Sequence, residues 1–139
     1  MIRILLLTFL MVNAAWAEPM DRIVAVVNNE VLLESELVDM EQTVRQQLHQ
    51  RNAAMPPSDV LRKQVMERLI LQRVQLQKAD SIGIRVGDDA LNAALKQIAD
   101  NNKITLREFR DVLAKDGYDF ADFRDSIREE MVISRLRKS

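Results

Sequence analysis

The chain has 139 residues, one histidine, no cysteine and a formal net charge of −1 at pH 7. That length suits one domain, and the near-neutral balance argues against a nucleic-acid partner, which would favour a basic face. Without cysteine there is no disulfide framework and no thiolate metal site, so an exported domain must rely on its core alone.

The chain begins with a charged and then an apolar segment. Met1-Ile2-Arg3 carries the only early positive charge, Ile4 to Val12 is apolar apart from Thr8, and Ala15-Trp16-Ala17 places small residues where a signal peptidase reads. This is the pattern of a secretory signal peptide, with cleavage expected between Ala17 and Glu18. The apolar run is shorter than the ~20 residues that a spanning helix needs. No later stretch is apolar enough to span a bilayer, so the processed chain is expected to be soluble and outside the cytoplasm.

Residues 21–33 read as two short strands. Ile23 to Val27 is rich in β-branched residues, and Val31-Leu32-Leu33 is a second run. Asn28-Asn29 between them tolerates the left-handed conformations of a tight hairpin turn, and Glu30 falls at its exit. The first run is apolar on both faces, so cover on both faces is expected. A lone hairpin is marginal in water.

Five helices are expected to follow. Ser35 is the N-cap candidate of the first, in which Leu37, Met40, Val44 and Leu48 recur at helical spacing before the pattern fades near Arg51-Asn52. Met55-Pro56-Pro57 is a stop and linker. Ser58 is expected to cap a long helix running to about Ser81. Its apolar stripe (Val60, Leu61, Val65, Met66, Leu69, Ile70, Val74, Leu76) is wide enough for more than one neighbour. Gly83 is its stop, and Ile84-Arg85-Val86 is an extended connector.

Asp88 is the expected cap of the third helix, with Leu91, Ala94, Leu95 and Ile98 inward, ending at Asn101-Asn102. Thr105 and Glu108 have capping-box spacing and open a short helix that Gly117 ends. Asp119 caps the last helix, where Phe120, Phe123, Ile127, Met131 and Leu136 recur. Asp122 and Asp125 near its start, and Arg135, Arg137 and Lys138 at its end, complement the helix dipole. The expected fold is mainly α: a short β-hairpin and five helices forming an orthogonal-type helical domain over residues 18–139.

No residue set in this order points to catalysis. His49, the one histidine, sits on a polar helix face and reads as solvated, since a general base needs a positioned partner. Ser35 and Ser58 read as caps rather than nucleophiles, because no activating base accompanies them. Glu129 and Glu130 are helical neighbours that point apart. Asp119, Asp122 and Asp125 fail the spacing of a calcium loop, and a helix start explains them better. There is no phosphate-binding glycine loop. No catalytic residue, cofactor or metal is therefore expected.

What remains is apolar surface. Met40, Met55, Met66 and Met131 are soft enough for varied partners, although methionine at helical spacing is more often core. Met55 beside the prolines and Tyr118 in a turn are the most reachable. With Phe109 and Phe120 they are the candidate partner contacts.

The ordered segments resemble a known family. Asp21-Arg22-Ile23-Val24-Ala25-Val26-Val27-Asn28-Asn29-Glu30-Val31 and Ser35-Glu36-Leu37 are similar to the opening strand pair and first helix start of SurA-type chaperones. Leu61-Arg62-Lys63-Gln64-Val65-Met66-Glu67-Arg68-Leu69-Ile70 resembles their long second helix, and Gly83-Ile84-Arg85-Val86 the connector after it. Lys115-Asp116-Gly117-Tyr118, Phe123-Arg124 and Ile127-Arg128-Glu129-Glu130-Met131 resemble the final helices, so the likeness covers nearly all of residues 20–137 in order.

The resemblance implies a periplasmic chaperone module of a Gram-negative bacterium. It implies binding of unfolded outer-membrane proteins, or extended peptides, without nucleotide. Members of the family normally continue into parvulin-type prolyl isomerase domains and a carboxy-terminal helix that packs back on the amino-terminal domain. This sequence reads as stopping at Ser139, so no isomerase activity or parvulin catalytic residue carries over to it. The open hairpin edges and the wide stripe on residues 60–76 predict an uncovered apolar groove. A carboxy-terminal segment or self-association would cover it. Two further readings are a non-catalytic part of a periplasmic prolyl isomerase, and a structural subunit with one fixed partner.

Overall fold

The computed structural model describes residues 21–139. The expected signal peptide and its cleavage point at Ala17 and Glu18 lie outside these residues. The elements run β1 (Ile23–Val27), β2 (Glu30–Leu33), α1 (Glu34–Gln50), α2 (Ser58–Ser81), α3 (Asp88–Asn101), α4 (Leu106–Lys115) and α5 (Phe120–Leu136). The fold is mainly α with one hairpin and five helices, as the sequence predicts.

β1 and β2 pair antiparallel, with Val27 opposite Glu30, Val26 opposite Val31, and a bulge between Ile23 and Ala25. Asn28 turns the chain with φ +56°, a left-handed conformation that asparagine tolerates better than most residues. The chain then enters α1 without a loop. Glu34 N–H donates to Arg22 O at 2.7 Å, and Ser35 N–H to Asp21 Oδ1 at 3.2 Å. The start of β1 thus satisfies the first helical donors. This moves the helix start forward: Leu33 is the N-cap, with its own N–H donated to Glu36 Oε2 at 2.9 Å, and Ser35 is already helical.

The expected caps Ser58 and Asp88 are also displaced by one residue. The first intrahelical bonds close on Pro57 O (from Leu61 N–H, 2.9 Å) and Gly87 O (from Leu91 N–H, 3.1 Å), which makes Pro57 and Gly87 the N-caps. Thr105 and Asp119 do cap. Thr105 Oγ1 accepts from Glu108 N–H at 3.2 Å while Thr105 N–H donates to Glu108 Oε2 at 2.7 Å. Asp119 Oδ1 accepts from Ala121 and Asp122.

Helices α1 to α4 end alike. A residue with positive φ (Asn52, Gly83, Lys103, Gly117) follows the C-cap, and the next N–H reaches back to Leu48, Ala79, Ala99 or Leu113 O. This is the Schellman closure of orphaned carbonyls. Thr105→Ala removes the hydroxyl half of the α4 capping box and leaves only the N–H of residue 105 to donate to Glu108. The expected loss is about 1 kcal/mol of stability, read as a lowered urea midpoint with an unchanged slope.

Two apolar cores form. The first joins Leu32, Leu37, Leu61, Val65 and Leu69, with Val24, Ala25, Met40, Val44 and Met66 against them. The second joins Val86, Leu91 and Leu95, with Ala90, Leu106, Phe120, Phe123, Ile127, Met131 and Val132. α2 and α5 pack together between them. The hairpin departs from expectation on its outer face. Its inner face is covered by the first core, but Ile23, Val26 and Val31 are exposed, because α1 and α2 both approach from the same side.

Candidate binding surface

Two arginines on α2 fix the hairpin and α1. Arg62 bridges Glu34 (2.5 Å) and Glu41 (3.0 Å), and Arg73 bridges Glu30 (3.1 Å) and Glu36 (2.6 Å). Gln77 donates its amide to Val27 O at 3.0 Å and accepts from Asn28 Nδ2 at 2.6 Å. These contacts press one side of the hairpin onto α2 and orient the other outward.

The arginines also set charge. Hydrogen bonds from Arg62 and then Arg22 hold the Glu34 carboxyl below its ordinary value of 4.5. The Ser35 hydroxyl and backbone hold Asp21 below 3.8, and the Thr105 N–H and hydroxyl hold Glu108 below 4.5. A carboxyl with a depressed folded pKa contributes stability above its unfolded pKa and loses it as pH falls through the folded value. Stability is therefore expected to be flat above about pH 5 and to fall below about pH 4.5. Urea midpoints across pH check this, and Glu34→Gln should make the acid decline shallower.

The outward apolar surface is in two parts. On the hairpin, Val26 is 67% exposed beside its cross-strand partner Val31. On α2, Leu71 is 58% exposed, Val60 and Val74 are exposed too, and so is Ile82 at the C-cap. At 3.6 residues per turn Val60, Leu71 and Val74 lie on the side of α2 away from Leu61, Val65 and Leu69. Val60 and Val74 belong to the stripe that the sequence reads as wide. They face solvent because the neighbours of α2 gather on one side. Leu71 and Ile82 were missed by that reading, although the same periodicity places Leu71 away from Leu69.

Between α1, α2 and α5 lies a cleft of about 420 Å³. Met40, Leu71 and Ile133 supply its apolar wall, and Arg68, Gln72, Gln75, Ser126, Glu130 and Arg137 its polar lining. Beyond the cleft, the α4–α5 turn is tied to α1, where Tyr118 Oη donates to Gln46 Oε1 at 2.7 Å.

The four candidate contact residues sit in different places. Met55 is 43% exposed in the α1–α2 loop, and Tyr118 is 43% exposed in the α4–α5 turn. Phe109 is half-buried and meets Phe123 edge-on, with ring centroids 5.3 Å apart. Phe120 packs on the second core and lies under the Arg110 guanidinium, 4.6 Å from its ring centre. None of the four lines the cleft. His49 is exposed at the end of α1. Among the described residues, no cluster of three or more His, Asp or Glu side chains could hold a metal ion, and no helix is long and apolar enough to cross a membrane.

A hairpin laid on a helical domain, with bare apolar surface and a half-open cleft, defines a small hairpin-and-helix module whose main surface feature is uncovered apolar area. The SurA N-terminal domain family model matches residues 20–137. The chain belongs to that family. It is 53% identical over 119 residues to the chaperone SurA of Nitrosococcus oceani, covering 86% of this chain and 28% of that one. It is 48% identical over 125 residues to the chaperone SurA of Alkalilimnicola ehrlichii (90% and 29%). It is 45% identical over 120 residues to the chaperone SurA of Pseudomonas aeruginosa (86% and 29%). The chain thus spans less than a third of the length of these relatives.

Proposed function

We propose that this domain is a chaperone module that holds unfolded outer-membrane protein segments in the periplasm. The carrying observation is the apolar surface left bare on the hairpin and on α2, at Ile23, Val26, Val31, Leu71 and Val74. A domain that leaves such residues exposed presents surface for other apolar groups. Burial of that surface supplies affinity without reading a particular sequence, which suits clients of many sequences. The names of the relatives, each a chaperone SurA, agree with this reading.

In this reading the domain works by binding and performs no catalysis. The protein is exported and cleaved between Ala17 and Glu18, and residues 18–139 act as one domain. Mass spectrometry of the exported protein tests the cleavage point, and a mature chain beginning elsewhere would refute it. Function is tested by diluting a urea-unfolded outer-membrane β-barrel protein into buffer with excess of this protein and following light scattering. Suppressed aggregation is expected; unchanged scattering would overturn the reading.

A further inference from the structure

We propose that the α1/α2/α5 cleft seats an extended client segment that carries a carboxylate beside an apolar residue. The proposal rests on the client-binding reading above and adds a substrate preference to it. The cleft's volume, about 420 Å³, falls within the roughly 300–1,000 Å³ of ligand clefts.

The lining argues for a peptide. The Gln75 side chain makes no hydrogen bond among the described residues, and that of Gln72 uses only its NH₂, donated to Glu129 Oε2 at 2.7 Å. Each amide therefore keeps capacity to meet peptide N–H or C=O groups. Met40, Leu71 and Ile133 offer apolar contact alongside, with Met40 able to adapt to different side chains.

The charges argue for a carboxylate. Arg62, Arg73, Arg124 and Arg128 each hold an acidic partner. Among the described residues Arg68 and Arg137 hold none, yet both line the cleft. Glu130 is the one carboxylate in the lining, so two guanidinium groups face one carboxylate and the cleft is net positive. A guanidinium binds a carboxylate through a planar fork of donors.

The test uses short labelled peptides of alternating apolar and polar residues, identical but for a central Asp, Asn or Lys, with affinity read by fluorescence anisotropy. The Asp peptide is expected to bind about tenfold tighter than the Asn peptide, as a charge-assisted hydrogen bond allows, and the Lys peptide weakest. Added salt should shrink the Asp preference. Arg68→Gln with Arg137→Gln should abolish it, bringing the Asp and Asn peptides to equal affinity. Both positions are exposed, so the fold should survive, and each single variant should lose part of the preference. Equal binding of Asp and Asn peptides, or a preference that survives in the double variant, would overturn this proposal alone. No binding of any peptide would overturn the client-binding reading and this proposal with it.

Discussion

Leu91→Ala is expected to destabilise the protein by roughly 3 kcal/mol, the middle of the range for truncating a buried leucine. Leu91 is fully buried (0% exposed) at the centre of the second core, against Val86 and Leu95. Against a total stability of about 5–15 kcal/mol for an ordinary domain, such a loss would populate unfolded chain at modest urea. Leu37→Ala, equally buried in the first core, should cost about the same. Because the two residues share no cluster, the losses should add within about 0.5 kcal/mol. Urea unfolding of the single and double variants checks both statements. A Leu91→Ala cost under about 1 kcal/mol would mean that the second core is not the packed unit described here.

The second large effect is functional. Replacing Val26 and Leu71 with Gln removes the most exposed apolar side chain of the hairpin and of α2. Burying one such side chain against a client contributes about 1.5–3 kcal/mol at full burial. Losing two should weaken client binding by tenfold or more even when burial is partial. Both positions are largely open to solvent, so folding stability should change by less than about 0.5 kcal/mol. Binding of an apolar-surface dye should fall in parallel. Unchanged client affinity in a normally folded double variant would place client binding elsewhere, for instance near Met55 or Tyr118.

Much of the fold was legible because periodicity and punctuation agree along this chain. Thr105 with Glu108, Asp119, Gly83 and Gly117 each act where local chemistry places them. Ser35 was misplaced by two residues, and Ser58 and Asp88 by one, for a tertiary reason or a backbone one. Arg22 O and Asp21 satisfy the start of α1 from a distant strand end, which no local pattern encodes. Pro57 and Gly87 take the cap positions through their carbonyls, and Asp88 is drawn instead to Arg124 and Arg128 on α5.

The binding surface was less legible than the fold. Periodicity marks which residues are apolar and on which side of a helix they fall, but burial depends on which neighbours arrive. Val26 reads as covered because the first strand is apolar on both faces, whereas Val74 lies on the stripe over residues 60–76 that predicts an uncovered groove without locating it. They are bare because their partners stack on a single side. The cleft was invisible for the same reason. Met40, Leu71 and Ile133 belong to three helices, and only their packing brings Arg68 and Arg137 to one hollow.

The most direct test of the central claim is the affinity of the purified protein for one labelled outer-membrane β-barrel protein presented in two states. One sample is unfolded from urea and the other is folded in detergent, with the signal corrected for detergent alone. Saturable binding of the unfolded sample, with none to the folded one, is the predicted result. Failure to bind the unfolded sample, or equal binding of both, would contradict it.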